Sequence, residues 1–369
     1  MTSREPTIDR YCGPSGCEVD WLSSPRHEVD DDVMSFTRWA LTQGWGDGLP
    51  LVPPTEMRVR EFLRACGRFP DELVALVPPL GGECTVEKIA VNAVMAGAPP
   101  DSMALLCAAL EAMVDPAFNL GALNATTGSV VPALIVNGPQ RDALGIPYEV
   151  SCVGGVASAA PAIGRALRLV VRNVGGQAAG ITSQSVFGTP GRVAGIVFGE
   201  WEERSPWAPL AQRRGVPGDA VTAYGAMGTT NLCDVIADNG RALLEYVGKG
   251  LARPGDNGTL PSSAFSQTFV AFNPVWAPMI AREVPDVADV QEILWQHASI
   301  HVDDFPAGYA GPLRDMSRTH GDRVHVAQSP DDVLVAVCGG MGNLHALVLP
   351  SWGDTRATTC AVRTAAAVS

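Results

Sequence analysis

The chain contains the stretch Val130-Val-Pro-Ala-Leu-Ile-Val136, an apolar run that is followed at once by Asn137-Gly-Pro139. A short run of this kind, rich in β-branched residues and closed by turn residues, predicts a buried strand. Residues 160–174 have the spacing of an amphipathic helix, and residues 192–199 predict a second strand. A strand, a helix and a strand in succession indicate an α/β fold.

The C-terminal half repeats this alternation. The predicted strands there cover residues 220–226, 268–272, 333–337 and 345–349, and the predicted helices cover residues 228–250, 276–282 and 287–299. We therefore expect an α/β fold of two strand–helix layered subdomains with mixed sheets, which is compatible with an internal duplication. The expected division is a flexible N-terminal arm at residues 1–32, a first subdomain at 33–215 and a second at 216–369.

Composition excludes two classes of partner. The net charge is −13 and no run of lysine or arginine exists, so the chain lacks the basic face that nucleic-acid binding requires. The apolar runs are too short to cross a bilayer, and the first twenty residues lack the apolar segment of a secretory signal. Because the nine cysteines are scattered and odd in number, we expect reduced thiols in a soluble, cytoplasmic protein.

A stiff loop follows the first predicted helix, with the sequence Gly44-Trp-Gly-Asp-Gly-Leu-Pro-Leu-Val-Pro-Pro-Thr55. Each proline restricts φ and keeps the preceding residue out of the helical region, so the loop forms a rigid strap between two helices. Asp47, between two glycines, is the kind of polar group that such a scaffold presents to a pocket. The alternative is that Asp47 caps its own turn.

A candidate thiol lies in Gly81-Gly-Glu-Cys-Thr-Val-Glu-Lys88. This segment predicts Cys84 at a helix N-terminus, where the macrodipole and free N–H groups stabilise a thiolate. Glu87 and Lys88 are close enough in sequence for acid–base help. The structural alternative, which we rank ahead, is that Cys84 is a small residue at a tight cap.

Three loops rich in glycine, threonine and asparagine lie at the ends of predicted strands. Such loops let backbone N–H groups approach an anion, although none fits a dinucleotide or P-loop pattern. Their candidate ligand-binding residues are Asn124, Thr126, Thr127, Thr229, Thr230, Asn231, Gly339 and Gly340. As ordinary tight turns, these loops would need no ligand.

Two arginines on the predicted helix at 160–174 are candidate anion ligands. Arg165 and Arg168 are three residues apart and share one helical face. Because a guanidinium matches a carboxylate in geometry and charge, either residue could hold an acidic substrate. Pairing with acidic residues of a neighbouring segment is an equal alternative.

Two histidines suggest a metal site. His297 and His301 would share a helical face at positions i and i+4, as two imidazole ligands of zinc or iron would. The glutamate that marks metalloproteases is missing between them, and surface histidines are the commoner explanation. Cys12 and Cys17 flank a turn near the N-terminus and could form a local disulfide.

Two long motifs resemble an uncharacterised bacterial family. They are the loop at residues 44–55 and the segment Thr85-Val-Glu-Lys-Ile-Ala-Val-Asn-Ala-Val-Met-Ala-Gly97, and the similarity extends over about residues 35–355. Proteins of that family are associated with small cysteine or selenocysteine proteins bearing a U-G-S-C motif, which implies thiol or redox chemistry. Since this chain has no Cys-Gly-Ser-Cys, the resemblance implies that such a group comes from a partner protein.

These features predict an enzyme that acts on a small polar, carboxylate-bearing metabolite. Bond cleavage by elimination or reduction would use Cys84 as the thiol, Asp47 or Glu87 for proton transfer, and Arg165 or Arg168 for the anion. One alternative is a metal-dependent hydrolase or lyase at the histidines, and another is a non-catalytic subunit that docks a small thiol protein. The apolar helices also favour a homo-oligomer, and no cofactor other than a metal is suggested.

Overall fold

The structure is a computed structural model that describes residues 22–364, so Cys12 and Cys17 lie outside the described residues. Thirteen α-helices occur within that range. In chain order they are α1 (Val33–Thr42), α2 (Glu56–Cys66), α3 (Val86–Ala96), α4 (Met103–Val114), α5 (Leu120–Ala125), α6 (Pro139–Ala143), α7 (Ala160–Asn173), α8 (Gly191–Ala194), α9 (Leu210–Arg213), α10 (Gly240–Leu251), α11 (Trp276–Ala281), α12 (Val287–His297) and α13 (Ala310–Arg314).

The same residues contain thirteen strands. They are β1 (Leu73–Val77), β2 (Gly82–Thr85), β3 (Val131–Asn137), β4 (Ile196–Gly199), β5 (Ala220–Ala226), β6 (Thr230–Cys233), β7 (Thr268–Phe272), β8 (Ser299–His301), β9 (Thr319–His320), β10 (Arg323–His325), β11 (Val333–Val337), β12 (His345–Leu349) and β13 (Thr358–Ala361). Two four-stranded mixed sheets dominate, with the orders β13–β5–β3–β4 and β11–β7–β12–β6. A hairpin of β1 and β2 and a small sheet β8–β10–β9 complete the set.

The two large sheets pack face to face, with helices on their outer sides. Ile135 of β3 and Phe269 of β7 belong to one apolar cluster between the sheets, and the phenol of Tyr224 in β5 donates to the carbonyl of Leu349 across the gap at 3.0 Å. Alternate residues of the same strands point outward and pack on helices: β3 faces α3, α4 and α7, and β7 faces α10 and α12. The fold is therefore a four-layer α/β/β/α arrangement.

The two sheets share one topology. In each, a central strand (β3 or β7) pairs in parallel with the strand reached through a helical crossover (β4 or β11), and antiparallel with the next strand in the chain (β5 or β12). The fourth strand is exchanged: β6 follows β5 but pairs with β12, whereas β13 follows β12 but pairs with β5. The division expected at residues 215/216 therefore does not coincide with the division between the sheets, because β5 and β13 complete the first one.

The predicted α/β class and mixed sheets are confirmed. Two predicted elements differ from the structure. The strand predicted at residues 192–199 covers only Ile196–Gly199, because Gly191–Ala194 form α8. Residues 228–234 do not open a helix, since residues 230–233 form edge strand β6 and α10 begins only at Gly240, capped by Asn239. Gly228, with φ of +134°, turns the chain from the first sheet into the second. Within residues 22–364, none of the helices combines the length and the apolar character that crossing a bilayer requires.

Candidate functional site

The rigid loop at residues 44–55 is fixed to α7 by an ion pair. Nε and Nη2 of Arg165 donate to the Asp47 carboxylate at 2.7 and 2.9 Å, and the two side chains are only 12% and 11% exposed. Burial opposes ionisation of Asp47, but the bonds and charge of Arg165 outweigh it and keep the pKa of Asp47 below its ordinary value. Arg165 therefore serves the fold, and the structure does not leave it free to hold a substrate anion.

Cys84 has the predicted position but not the predicted ionisation. Thr85 caps α3 by accepting from the backbone N–H of Lys88, so the helix begins directly after Cys84. The Cys84 side chain is nevertheless fully buried, and burial raises the pKa of its thiol to about 12. A thiol in that environment stays protonated at neutral pH, which does not favour a nucleophilic role.

Glu87 and Lys88 are also engaged structurally. Glu87 is 2% exposed, and its carboxylate accepts hydrogen bonds from the backbone N–H and hydroxyl of Ser23 and from the N–H of Ser24, at 2.8–3.0 Å. Lys88 Nζ donates to the carbonyl of Glu83 at 2.6 Å. Glu87 thus anchors the segment that precedes α1, and neither side chain presents a free acid or base.

Two guanidinium groups lie near the N-terminal end of β3, within electrostatic range of each other. Arg168 of α7 donates from Nε to the carbonyl of Arg192 at 3.1 Å and from Nη2 to Oε1 of Gln177. Arg192 of α8 donates to the hydroxyl of Ser183 at 2.7 Å and to the carbonyl of Gly128 at 3.3 Å. All these acceptors are neutral, and within residues 22–364 neither guanidinium has a carboxylate partner.

Each of the two guanidinium groups has one nitrogen without a hydrogen-bond partner among the described residues. Nη1 of Arg168 and Nε of Arg192 are buried and make no hydrogen bond to any described residue. Burial and the neighbouring charge of Arg192 lower the pKa of Arg168 to about 10, and burial lowers the pKa of Arg192, so both groups remain charged at neutral pH. A buried unpaired cation is costly, and a bound anion would remove the cost for both groups.

The segment at residues 124–129 borders this pair, because the carbonyl of Gly128 accepts from Arg192 at 3.3 Å. Its first two residues, Asn124 and Ala125, end α5 and do not belong to a loop as predicted. Asn124 is fully buried and accepts at Oδ1 from Gln177 Nε2 at 3.0 Å, which links the loop to the acceptor of Arg168. The Thr126 hydroxyl accepts from Nε1 of Trp352 at 3.1 Å. Asn124 is therefore linked to Arg168 through Gln177, and Gly128 of the same segment accepts from Arg192.

A small void lies directly beside the Arg168 side chain. It has room for about one water molecule, and apart from Arg168 its walls come from apolar residues and two glycines of α4, α7, β3, β4 and the turn before β4. A side chain cannot fill it, because a Cβ on Gly164 would lie 2.0 Å from the carbonyl oxygen of Ala194. The helix and the turn thus approach each other backbone to backbone next to the cation.

The other two loops make no hydrogen bond to Arg168 or Arg192 among the described residues. Thr230 and Asn231 belong to edge strand β6, and Thr229 precedes it, so these residues do not lie at a helix N-terminus. Gly339 and Gly340 follow β11 at the other end of the sheets, where Trp201 N donates to the carbonyl of Val337 after β4. The length of β3 separates the two ends by about 20 Å.

The histidines do not form the expected pair. Helix α12 ends at His297, and His301 lies in strand β8, where its Nδ1 accepts from the backbone N–H of Asp303 at 3.2 Å. The shared helical face predicted for His297 and His301 is therefore wrong. In the part of the chain that the structure describes, no group of three or more histidine, cysteine, aspartate or glutamate side chains is arranged to hold a metal ion.

A second polar cluster occupies the carboxyl ends of β3 and β4. Glu200 is 1% exposed; its Oε2 accepts from Asn137 Nδ2 and from the N–H of Leu210, both at 2.7 Å. Its Oε1 and the Oδ1 of Asn137 make no hydrogen bond to any described residue. Burial raises the pKa of Glu200 to about 7, so this carboxyl group exchanges its proton near neutral pH.

Sequence reasoning missed Arg192, Gln177 and Ser183 at the first site and Glu200 at the second. Arg192 was assigned to a strand, although the flanking Gly191 and Gly195 could have indicated a tight turn. Nothing local marks Gln177 or Ser183, because their roles depend on a helix and a loop that are distant in sequence. Glu200 stands directly after a buried strand, which is the one available signal.

Comparison with protein families and with curated proteins found no match for this chain. The family resemblance of the two long motifs therefore stays a prediction, and the chain's own side chains carry the functional argument.

Proposed function

We propose that the protein binds a small carboxylate-bearing metabolite at the site formed by Arg168, Arg192 and the segment at residues 124–129, and acts on it as an enzyme. The observation that carries this proposal is the buried, unpartnered Nη1 of Arg168 beside a second cation that also lacks a carboxylate partner. Natural proteins pair buried charges, so an unpaired one indicates a binding role.

A carboxylate suits this site better than a neutral ligand does. Its two oxygens can accept from two guanidinium groups at once, and charge-assisted bonds of this type are about twice as strong as neutral ones. The hydroxyls and amides of the segment at residues 124–129 supply further hydrogen bonds to polar groups of the ligand.

The proposal changes the roles of the residues expected to carry chemistry. Asp47 and Glu87 hold segments of the fold together, and Cys84 is a buried thiol, so none of them is assigned proton transfer or attack on the metabolite. Elimination or reduction remains the proposed reaction class. The cytoplasmic location expected from reduced cysteines also remains part of the proposal, and all seven described cysteines are free thiols.

Calorimetric titration tests the binding step. We expect acetate and succinate to bind to the full-length protein and to raise its melting temperature, with a stabilisation that grows as the logarithm of the anion concentration once this exceeds Kd. Arg192→Gln should weaken binding at least about tenfold, because it removes a charged donor. Arg241→Gln, at an exposed position of α10, is the matched control and should bind as the wild type does.

Two results would decide against the carboxylate. If none of these anions binds, or if Arg192→Gln binds as tightly as the control variant, the site does not recognise anions. If inorganic phosphate binds more tightly than succinate, the ligand class must be corrected to phosphate esters.

A second candidate function is a docking subunit for a small thiol protein. The exposed apolar side chains of Val150 and Met341, which are 74% and 55% exposed, favour it because they lie next to Gly340 at the other end of the sheets. Co-purification with a small cysteine or selenocysteine protein, lost in Met341→Ser, would support this candidate. Analytical ultracentrifugation would test the homo-oligomer that the sequence favours.

A further inference from the structure

The loop between α7 and α8 carries apolar side chains that the fold leaves in solvent. Ile181, Val186 and Phe187 are 77%, 67% and 94% exposed. A single exposed apolar residue is common on a protein surface, but a cluster of them in one short loop marks a place where an apolar group binds.

Hydrogen bonds hold this loop against the two guanidinium groups. The hydroxyl of Ser183 accepts from Nη1 of Arg192 at 2.7 Å. The N–H of Val186 donates to the carbonyl of Thr127 at 3.0 Å, and the carbonyl of the adjacent Gly128 accepts from Nη2 of Arg192. The exposed apolar side chains of the loop therefore lie at most two residues along the chain from these contacts.

A fourth exposed apolar side chain comes from the turn between β1 and β2. Leu80 is 71% exposed, and its N–H donates to the carbonyl of Gly175 at 3.0 Å. Its side chain packs over Gly176 and leaves no room for a Cβ there. Because Gly176 directly precedes Gln177, which accepts from Arg168, Leu80 lies at the start of the same loop and next to the residue that holds Arg168.

The two segments that contact the guanidinium groups are themselves uncharged. Residues 174–191 and residues 116–140 contain no acidic, basic or histidine side chain, although the chain as a whole has a net charge of −13. A second carboxylate on the ligand would need a further cation, and an ammonium group would need an acidic side chain. These segments provide neither, so they suit a ligand whose remaining part is apolar.

We propose that the ligand of this site is an amphiphilic monocarboxylate, with one carboxylate and an apolar tail. The inference rests on the proposed function, because it takes the carboxylate to bind at Arg168 and Arg192. The carboxylate neutralises two guanidinium groups that lack an acidic partner among the described residues, and the tail removes apolar surface from water. The tail contacts the exposed side chains of Leu80, Ile181, Val186 and Phe187.

Calorimetric titration of the full chain with acetate and with octanoate tests this inference. Octanoate has six more methylene groups than acetate, and each one that leaves water strengthens binding about fourfold. We therefore expect octanoate to bind at least about tenfold more tightly than acetate, with a more negative heat-capacity change.

A pair of variants at exposed positions tests the apolar loop. Phe187→Ser should lower the ratio of octanoate affinity to acetate affinity at least about threefold, because it removes apolar surface that the tail covers. Ile236→Ser is the matched control: Ile236 is 86% exposed in the loop after β6, and its substitution should leave the ratio unchanged. Equal ratios in the two variants would contradict a contact between Phe187 and the tail.

The remaining outcomes separate this inference from the proposed function. If acetate and succinate bind and depend on Arg192 but octanoate binds no more tightly than they do, the amphiphilic ligand is overturned and the carboxylate site stands. If 1-octanol binds as tightly as octanoate, or if Arg192→Gln leaves octanoate binding unchanged, the tail adsorbs without the cations and the inference is wrong. If no carboxylate binds at all, the proposed function fails and this inference fails with it.

Discussion

The ion pair between Asp47 and Arg165 offers the sharpest test of how the rigid loop at residues 44–55 is held. Asp47→Asn keeps the size of the side chain and the acceptor for the N–H of Leu49, which lies 3.1 Å from Oδ1, but it removes the negative charge. Arg165 is then left 12% exposed without a countercharge. Breaking a buried pair in this way costs 3–5 kcal/mol, and the residual exposure of both groups places our expectation at about 3 kcal/mol.

For a chain of 369 residues, a loss of about 3 kcal/mol lowers the melting temperature by about 4 °C. Urea unfolding followed by circular dichroism should show a lower midpoint with an unchanged slope. The matched control is Asp31→Asn, because Asp31 also pairs with an arginine, Arg58, at 2.8 Å but is 62% exposed. Such a surface pair contributes about 1 kcal/mol or less.

The pH dependence of this difference has a fixed sign. The folded-state pKa of Asp47 lies below its ordinary value, so the stabilisation is complete above the unfolded-state pKa and is lost as pH falls through the folded-state value. Wild type and Asp47→Asn should therefore differ fully at pH 7 and converge only in acid. If the two variants, Asp47→Asn and Asp31→Asn, have the same midpoint at pH 7, the pair does not hold the loop and the reasoning is refuted.

Three further variants test other parts of the structure. Burial raises the pKa of Glu200 from 4.5 to about 7, which costs the ionised protein about 3 kcal/mol of stability. In urea unfolding, Glu200→Gln should therefore raise the free energy of unfolding by up to that amount at pH 8 and should not raise it at pH 4.5. Equal effects at the two pH values would contradict this expectation. Gly164→Ala puts a Cβ 2.0 Å from a backbone carbonyl oxygen and should lower the free energy of unfolding by about 3 kcal/mol. Gly311→Ala is also in a helix but has open space around it, so it should leave the stability unchanged or raise it slightly. Glu87→Ala removes three hydrogen bonds to the segment before α1. Limited proteolysis should therefore cleave that segment much faster in the variant than in the wild type. An unchanged cleavage rate would mean that other contacts hold the segment.

Most helices and strands could be predicted from the sequence, because the spacing of apolar residues within each segment decides its conformation. The apolar run that forms β3 and the amphipathic spacing of α7 each decide their own conformation, and both elements appear where expected. The short segment at residues 230–233 has no such signal. It is a strand only because β12 offers it a pairing edge, and that edge comes from residues more than a hundred positions later.

The same limit applies to the candidate site. Arg165 and Arg168 lie three residues apart on one helix, and the sequence gives no reason to prefer either as an anion ligand. The choice is made by Asp47, which is 118 residues from Arg165 in sequence and neutralises it. The hydrogen-bond acceptors of Arg168, in contrast, are all neutral. Long-range packing thus turns one arginine into a structural cation and leaves the other unpaired.

Glycine at position 164 explains how that unpaired cation arises. Gly164 and Arg168 are one helical turn apart, so they lie on the same face of α7. Because Gly164 has no side chain, the backbone of α7 can approach the turn after α8 closely enough for Arg168 Nε to donate to the carbonyl of Arg192 at 3.1 Å. That approach brings Arg168 next to α8, where the charge of Arg192 lies within electrostatic range and repels it. Gly164→Ala should therefore weaken succinate binding as well as stability, and a variant that loses stability but binds succinate normally would separate the packing of α7 from the anion site.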